Sequence, residues 1–266
     1  MRALSRAAAL ATLALCACAP APRPPAAPAP DTAPAARAWP VMGTLLTVTV
    51  WEPDSTLART ALAAARAVVQ HVDSLMSNYR PESELSAVNR RAGTDSVTIL
   101  SPETAEVLEA ALHFAAASGG ALDVTIGPVV DVWGFYRPRG SIPPPAALDS
   151  ARALVGYRLV EYDPRTRAVR LPRSGMRLDF GAIAKGYAVD LAVDTLRALG
   201  VRRAMIDLGG NLRFLGSPIP GGWRVGLRDP RANERTIAVV SIDSGAVATS
   251  GDYERFFIHD GVRYSH

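Results

Sequence analysis

One stretch, residues 178–190, constrains the fold of this chain more than any other part of its sequence. Leading into it, Met176, Leu178 and Phe180 alternate with polar residues, which is the pattern of a half-buried β-strand. Beyond Gly181 the apolar residues recur at helical spacing instead, and they are Val189, Ala192, Val193 and Leu196. The sequence therefore predicts a strand that turns directly into a helix.

This predicted turn has the chemistry of an anion-binding site. The first amides of a helix have no partner within the helix and lie at the positive end of its dipole, so a phosphate binds there readily. Asp179 and Lys185 flank the turn with opposite charges, and Lys185 is the only lysine in the sequence. A lysine ammonium meets a phosphate as a compact point charge. The alternative is an ordinary exposed lysine beside a glycine-rich helix start, and the turn alone does not decide between the two.

The first residues have the pattern of an export signal. Arg2 and Arg6 precede an apolar run, residues 7–17, that is too short to span a bilayer as a mature helix. The sequence around Cys18 resembles a bacterial lipoprotein signal, so residues 1–18 are interpreted as a signal peptide and Cys18 as the lipidated residue. The expected location is the periplasmic side of a bacterial membrane, with a soluble periplasmic protein as the alternative.

Composition divides the rest of the chain into a tether and a folded domain. Residues 19–40 are rich in Pro and Ala, which predicts an extended, semi-rigid tether before a domain at 41–266. No cysteine follows residue 18, so an internal disulfide and a thiolate metal site are excluded from that domain. The net charge of +4 comes from scattered arginines without a basic run, which argues against a nucleic-acid partner.

Periodicity within the domain predicts helices early and strands late. Asp54 or Ser55 is expected to cap a helix that runs to Met76, and a second helix is expected from Pro102 to a Gly-Gly pair at 119–120. Trp133 and Phe135 are expected in the core. Strands are expected at 45–51, 203–208, 223–228, 236–242, 246–250 and 253–258. The predicted fold class is α+β.

The residues alone give candidate acids but no reaction. The candidates lie mostly at strand ends beside glycine, and they are Asp123, Asp179, Asp190, Asp207 and Asp252. There is no cluster of His and Cys, so carboxylate and carbonyl oxygens, which suit Mg²⁺, are the metal ligands to expect. A Gly-x-Ser-x-Gly motif and a P-loop are both absent from the sequence.

Six blocks in order resemble the FAD:protein FMN transferase family, the ApbE-like flavin transferases. The resemblance covers 41–266 and implies mixed and antiparallel sheets with packed helices around an FAD cleft. The blocks are Met42–Thr44, Ser77–Leu85 with Asn89, Ala121–Pro128 with Trp133–Phe135, Leu178–Asp190, Asp207–Asn211, and Ala248–Arg255 with Tyr264–His266.

The resemblance also implies a reaction and its site. Members split FAD with Mg²⁺ and attach the FMN part, through its phosphate, to a threonine of a target protein in a membrane or periplasmic redox system. The backbone carbonyl of Ala182 would bind the metal. The residues that would contact FAD are Met42, Tyr79, Ala121, Leu122, Asp123, Asp179 and Lys185.

The sequence departs from the family pattern at its end. The family's Tyr-Ser-His block is followed by an Asp-x-x-Asp-Thr-like cluster of metal ligands, and this sequence shows none after His266. We therefore expect a fragment of a longer gene product, with a lipid-anchored flavin-binding protein without transfer activity as the alternative. Hydrolysis of FAD at the same site, with water as the acceptor, stays open as well.

Overall fold

The computed structural model of the protein describes residues 33–137, 140–251 and 256–265. The predicted signal peptide with Cys18, most of the tether, Asp252 and His266 lie outside the described residues. Within them, no helix combines the length and the apolar character that crossing a membrane requires.

The described residues form six α-helices and twelve β-strands. The helices are α1 (Ser55–Met76), α2 (Glu84–Arg90), α3 (Pro102–Ala117), α4 (Gly127–Val132), α5 (Pro145–Arg152) and α6 (Ala184–Ala198). The strands are β1 (Ala35–Val41), β2 (Thr44–Val50), β3 (Thr98–Ile99), β4 (Glu161–Asp163), β5 (Ala168–Arg170), β6 (Ala204–Leu208), β7 (Asn211–Leu215), β8 (Trp223–Asp229), β9 (Ala232–Ile242), β10 (Gly245–Ala248), β11 (Phe256–His259) and β12 (Val262–Ser265).

The core lies between a five-stranded sheet and two helices. The strand order is β1-β2-β6-β7-β10, with antiparallel pairing throughout, and α1 and α6 pack against each other and against this sheet. Leu46 and Val48 of β2 and Ile206 of β6 are fully buried, as are Val69 of α1 and Val193 of α6. Smaller antiparallel sheets pair β3-β5-β4, β8-β9 and β11-β12. The α+β prediction is confirmed.

Helix α1 forms as its sequence predicts. The carboxylate of Asp54 accepts hydrogen bonds from the amides of Thr56 at 2.7 Å and Leu57 at 3.3 Å, which caps the helix start. The buried residues fall on one face at helical spacing, and they are Ala58, Ala61, Leu62, Ala65, Val69, Val72, Asp73 and Met76. Asp73 is the one charged residue in this set.

The folded part begins earlier than predicted. Strand β1 starts at Ala35, inside the segment assigned to the tether, and pairs with β2 through a two-residue turn at Met42 and Gly43. Both turn residues have positive φ, 50° and 69°, which suits a tight hairpin. The Ala/Pro composition concealed this strand, and Pro40 is tolerated because β1 lies at the edge of the sheet.

The predicted strand before the turn is wrong in one respect. Met176, Leu178 and Phe180 are each 1% exposed, so the alternation is real, but the segment pairs with no described strand. The side chain of Asn89 replaces a neighbouring strand. Its Oδ1 accepts from the Leu178 amide at 2.7 Å, and its Nδ2 donates to the Leu178 carbonyl at 3.0 Å. A side-chain amide carries the same donor and acceptor as a peptide group. The alternation of apolar and polar residues therefore does not show whether the segment pairs with another strand or with a side chain.

Candidate functional site

A cavity of about 760 Å³ lies at the end of α1, beside the turn that leads into α6. Its walls come from the β1–β2 turn, the loop after α1, helix α4, the turn before α6, and strand β12. Five of the predicted site residues line it together, and they are Met42, Tyr79, Asp179, Ala182 and Lys185. The fold thus brings residues far apart in sequence to one place, while their contact with FAD stays a prediction.

The start of α6 presents unpaired backbone groups to this cavity. The amides of Ile183 and Ala184 donate to the Phe180 carbonyl at 3.0 and 2.8 Å. Among the described residues, by contrast, nothing pairs with the amides of Lys185 and Gly186 or with the carbonyl oxygen of Ala182. The helix has no side-chain cap. Two free amides, a helix dipole and an ammonium therefore converge where the sequence predicts an anion site.

Asp179 is held in a fixed orientation at the cavity wall. Its Oδ1 accepts from the Gly181 amide at 2.6 Å, and its Oδ2 accepts from the Tyr136 hydroxyl. Burial, the Asp179 charge and this hydrogen bond raise the pKa of Tyr136 far above its ordinary value, although the Arg177 charge acts in the opposite direction. Tyr136 therefore stays protonated, and its hydroxyl donates a hydrogen bond to Asp179.

Tyr136 also organises the aromatic side of the cavity, and the sequence analysis missed it. The Arg177 guanidinium lies 4.2 Å from the centre of the Tyr136 ring, and the Tyr79 ring meets it edge-on at 5.9 Å. Such geometries stabilise aromatic contacts. Tyr136 follows the Trp133–Phe135 block directly, but no pattern in the sequence singles it out.

Trp133 and Phe135 are cavity residues rather than core residues, contrary to the prediction. Both are only partly buried and line the cavity. The hairpin of β11 and β12 packs against them. The Trp133 ring lies 5.8 Å from Tyr264, and the Phe135 ring lies 5.8 Å from Phe257. One wall of the cavity is thus a set of aromatic rings, suited to a planar ligand.

The Ala121–Asp123 segment does not line this cavity. The carboxylate of Asp123 is used within the fold instead. Its Oδ1 accepts from the amide and hydroxyl of Thr125 at 2.9 and 2.6 Å, and its Oδ2 accepts from the Tyr157 amide at 2.8 Å. These bonds tie the loop before α4 to the loop after α5. These bonds favour a structural role for Asp123, while its contact with FAD stays an untested prediction.

A model of the ApbE family matches residues 42–266. The chain belongs to the ApbE family. Similar curated proteins are the FAD:protein FMN transferases of Vibrio cholerae serotype O1, 33% identical, and of Treponema pallidum, 36% identical. The matches cover 85% of this chain and 69% of the Vibrio protein, and 87% of this chain and 68% of the Treponema protein.

Solved structures agree with this assignment. The ApbE protein of Thermotoga maritima matches with a TM-score of 0.81 at 30% identity, over 88% of this chain and 75% of that one. The flavin transferase ApbE of Vibrio cholerae matches with a TM-score of 0.76 at 30% identity, again over 88% and 75% of the two chains. The family resemblance inferred from the six blocks is confirmed, and it makes this chain a member of an enzyme family.

Ala182, the metal ligand that the family resemblance implies, is the one member of a metal site to consider in the described part of this ApbE-family protein. The free carbonyl oxygen of Ala182 is a suitable ligand for Mg²⁺. No group of three or more His, Cys, Asp or Glu side chains lies close enough together among the described residues to hold a metal. Two other candidate acids are already occupied, since Asp190 pairs with Arg213 at 2.7 Å and Asp207 accepts from the Gly210 amide at 2.9 Å.

Asp73 is a further cavity residue that the sequence analysis missed. It lines the cavity from α1 and is 7% exposed. Its Oδ2 accepts from Arg80 Nε at 2.9 Å. The signal was present in the sequence, because a carboxylate on the apolar face of a helix is rarely buried without a specific partner or function.

Proposed function

We propose that this protein is a FAD:protein FMN transferase that binds FAD in the main cavity and transfers FMN to a threonine of a target protein. The observation that carries the proposal is the convergence of Lys185 and the free amides of α6 on a cavity with an aromatic wall. The cavity volume of about 760 Å³ lies in the range of small-molecule and cofactor sites. The family assignment supports the same reaction class.

The cavity residues divide the work of binding. Lys185 and the amides of Lys185 and Gly186 receive the diphosphate through charge-assisted hydrogen bonds. Met42 and Tyr79 pack against the ring systems. Asp179, held by Gly181 and Tyr136, accepts a hydrogen bond from a ring or ribose group. Phosphoryl transfer depends mainly on positioning and charge neutralisation, and this set of residues provides both.

Mg²⁺, a lipid anchor and a periplasmic location are parts of the same proposal. The free Ala182 carbonyl supports a metal beside the phosphates, where a bound cation would neutralise their charge. The lipoprotein-like sequence around Cys18 supports attachment to a membrane, and the partner is then a threonine-bearing protein of a membrane or periplasmic redox system.

The proposal is tested by incubating the full-length protein with FAD and the envelope proteins of its host, with and without Mg²⁺. Covalently bound flavin stays with the acceptor on a denaturing gel and is detected by its fluorescence, while AMP is released. The expected result is a fluorescent acceptor that depends on Mg²⁺. FAD binding without covalent flavin and without AMP would favour a flavin-binding protein instead, and AMP with free FMN would indicate hydrolysis.

A further inference from the structure

Arg177 is a charged residue beside the main cavity that the proposed function leaves without a role. It contacts two residues of the cavity wall, Asn78 and Tyr136, but does not line the cavity itself. None of the described residues offers its guanidinium a carboxylate, and the one hydrogen bond found there runs from Nη2 to the Asn78 carbonyl at 3.5 Å. Its Nε is buried without a partner. Such an arrangement is unfavourable for a cation, so its presence calls for a specific reason.

The fold constrains the orientation of the Arg177 side chain. Gly127, the first residue of α4, leaves room for its stem, since a Cβ at this position would lie 2.6 Å from the Arg177 carbonyl oxygen and 2.7 Å from its Cγ. These distances are shorter than van der Waals contact, so the close approach depends on the missing side chain of glycine. The guanidinium carbon then lies 4.2 Å from the centre of the Tyr136 ring. The cation is thus held over the face of a tyrosine.

The charge of Arg177 acts on the Tyr136 hydroxyl. A cation over an aromatic face is attracted by the π electrons of the ring. Burial and the Asp179 charge raise the pKa of Tyr136, whereas the Arg177 charge lowers it. A hydroxyl with a lower pKa is a stronger hydrogen-bond donor, and the acceptor of this hydroxyl is Asp179 Oδ2. Arg177 therefore strengthens the hydrogen bond that holds Asp179.

Asp179 is the point at which this series of contacts reaches the main cavity. Its Oδ1 accepts from the Gly181 amide at 2.6 Å, so Tyr136 holds the oxygen that the turn does not. With both oxygens held, the carboxylate presents its remaining lone pairs to the cavity in a defined orientation. An acceptor that is already oriented loses less entropy when a ligand binds.

We propose that Arg177 is a positioning residue for FAD binding, which acts on Asp179 through the Tyr136 ring without touching the ligand. The inference rests on the proposed function, because that function assigns Asp179 to FAD. It also accounts for the guanidinium without a carboxylate partner, since an acidic neighbour would neutralise the charge that polarises Tyr136.

The first test compares two arginines of one segment. Arg177→Met removes the charge and keeps an unbranched stem, whereas Arg173→Met is the matched control, because Arg173 is exposed and does not line the main cavity. Isothermal titration of the full-length protein should show the Kd for FAD raised about fivefold in Arg177→Met and changed less than about 1.5-fold in Arg173→Met. Arg177→Lys keeps a cation and should lose less affinity than Arg177→Met.

The second test determines whether the effect passes through Tyr136. Tyr136→Phe alone should raise the Kd for FAD about fivefold, and adding Arg177→Met should raise it less than about 1.5-fold further, because the hydroxyl that transmits the effect is gone. A full fivefold effect of Arg177→Met in the Tyr136→Phe background would overturn the proposal. Equal losses of affinity in Arg177→Met and Arg177→Lys would overturn it as well.

The remaining outcomes separate this inference from the function on which it rests. Thermal unfolding shows whether Arg177→Met folds, and if it does not, Arg177→Gln, which is uncharged but keeps an N–H donor, takes its place in both tests. A wild type that binds no FAD overturns the proposed function and the inference with it. A wild type that binds FAD, with Arg177→Met equal to Arg173→Met, overturns the inference alone.

Discussion

Asp123 and Asp179 begin with the same local arrangement and end in different surroundings. In each, Oδ1 accepts from the amide two residues later, at 2.9 Å from Thr125 and 2.6 Å from Gly181. The second oxygen of Asp123 accepts from a backbone amide in a packed loop, whereas that of Asp179 accepts from Tyr136 at the cavity wall. The turn fixes one oxygen locally, and the tertiary partner of the other decides whether the residue supports the fold or the site.

The largest loss of FAD affinity is expected on substitution of Lys185, the cation on the other side of the turn from Asp179. Lys185→Ala should raise the Kd for FAD about 10- to 150-fold, because a charge-assisted contact to phosphate contributes about 1.5–3 kcal/mol. Isothermal titration measures it. Arg197→Ala is the matched control, since Arg197 lies in the last turn of the same helix and pairs with Asp194. Equal affinities in the two variants would remove Lys185 from the site.

Asp123→Asn tests the structural side of the comparison. The carboxylate accepts three hydrogen bonds within the fold, and an amide group would leave at least one donor unpaired. We expect the free energy of unfolding in urea to fall by about 1–3 kcal/mol, while the Kd for FAD stays within about twofold. A large loss of FAD affinity in a stably folded variant would instead return Asp123 to the binding site.

Asp179→Asn tests the binding side. The expected result is about tenfold weaker FAD binding, in line with the loss of one charged acceptor, with a cooperative thermal transition retained. Titration calorimetry and a thermal melt of the same sample check the two parts. If the cooperative transition disappears, Asp179 supports the fold as Asp123 does, and the contrast between the two aspartates fails.

The smallest effect concerns the tyrosines whose hydroxyls donate to carboxylates. Burial, followed by the hydrogen bond to Glu109, raises the pKa of Tyr162 to about 12, whereas an unfolded tyrosine titrates near 10. In the folded state Tyr162 loses its proton only at a higher pH than in the unfolded state. The contribution of the protonated hydroxyl to stability is therefore complete below pH 10 and is lost as the pH rises towards 12. Tyr162→Phe should flatten the alkaline fall in stability, measured by urea unfolding at about pH 9 and 11. An identical fall in both proteins would contradict this.

Local rules predicted the elements whose causes are local. The Asp54 cap and apolar face of α1 and the helical spacing of α6 depend on neighbours within a few residues, and both helices are confirmed. Strand β7 was missed because its pairing with β6 and β10 is a tertiary contact. The hydrogen bonds between Asn89 and the 176–180 segment could not be predicted for the same reason, because they too are tertiary contacts.

In the candidate site, too, features set by neighbours in sequence could be predicted and features set by tertiary packing could not. The turn before α6 could be predicted because a strand-like segment, a glycine and a helix are adjacent in sequence, while anion binding there stays a prediction. Tyr136 and Asp73 could not be assigned to the same cavity, since their positions depend on how α4 and α1 pack. Ala121–Asp123 came from the family resemblance, and in the structure the Asp123 carboxylate accepts three hydrogen bonds from Thr125 and Tyr157.

The extended segment before α6 has a consequence for motion. Leu178 and Asp179 are held by the Asn89 side chain and by one bond from the Asp179 amide to the Val124 carbonyl at 2.7 Å, rather than by a ladder in the five-stranded sheet. Opening the segment breaks these few bonds and exposes the buried Leu178 and Phe180, but it separates no strand pair of the five-stranded sheet. In hydrogen exchange, its amides should therefore exchange through a subglobal opening of lower free energy than those of β2 and β6. Motion of the cavity wall that carries Asp179 is therefore not coupled to separation of the strands in the five-stranded sheet.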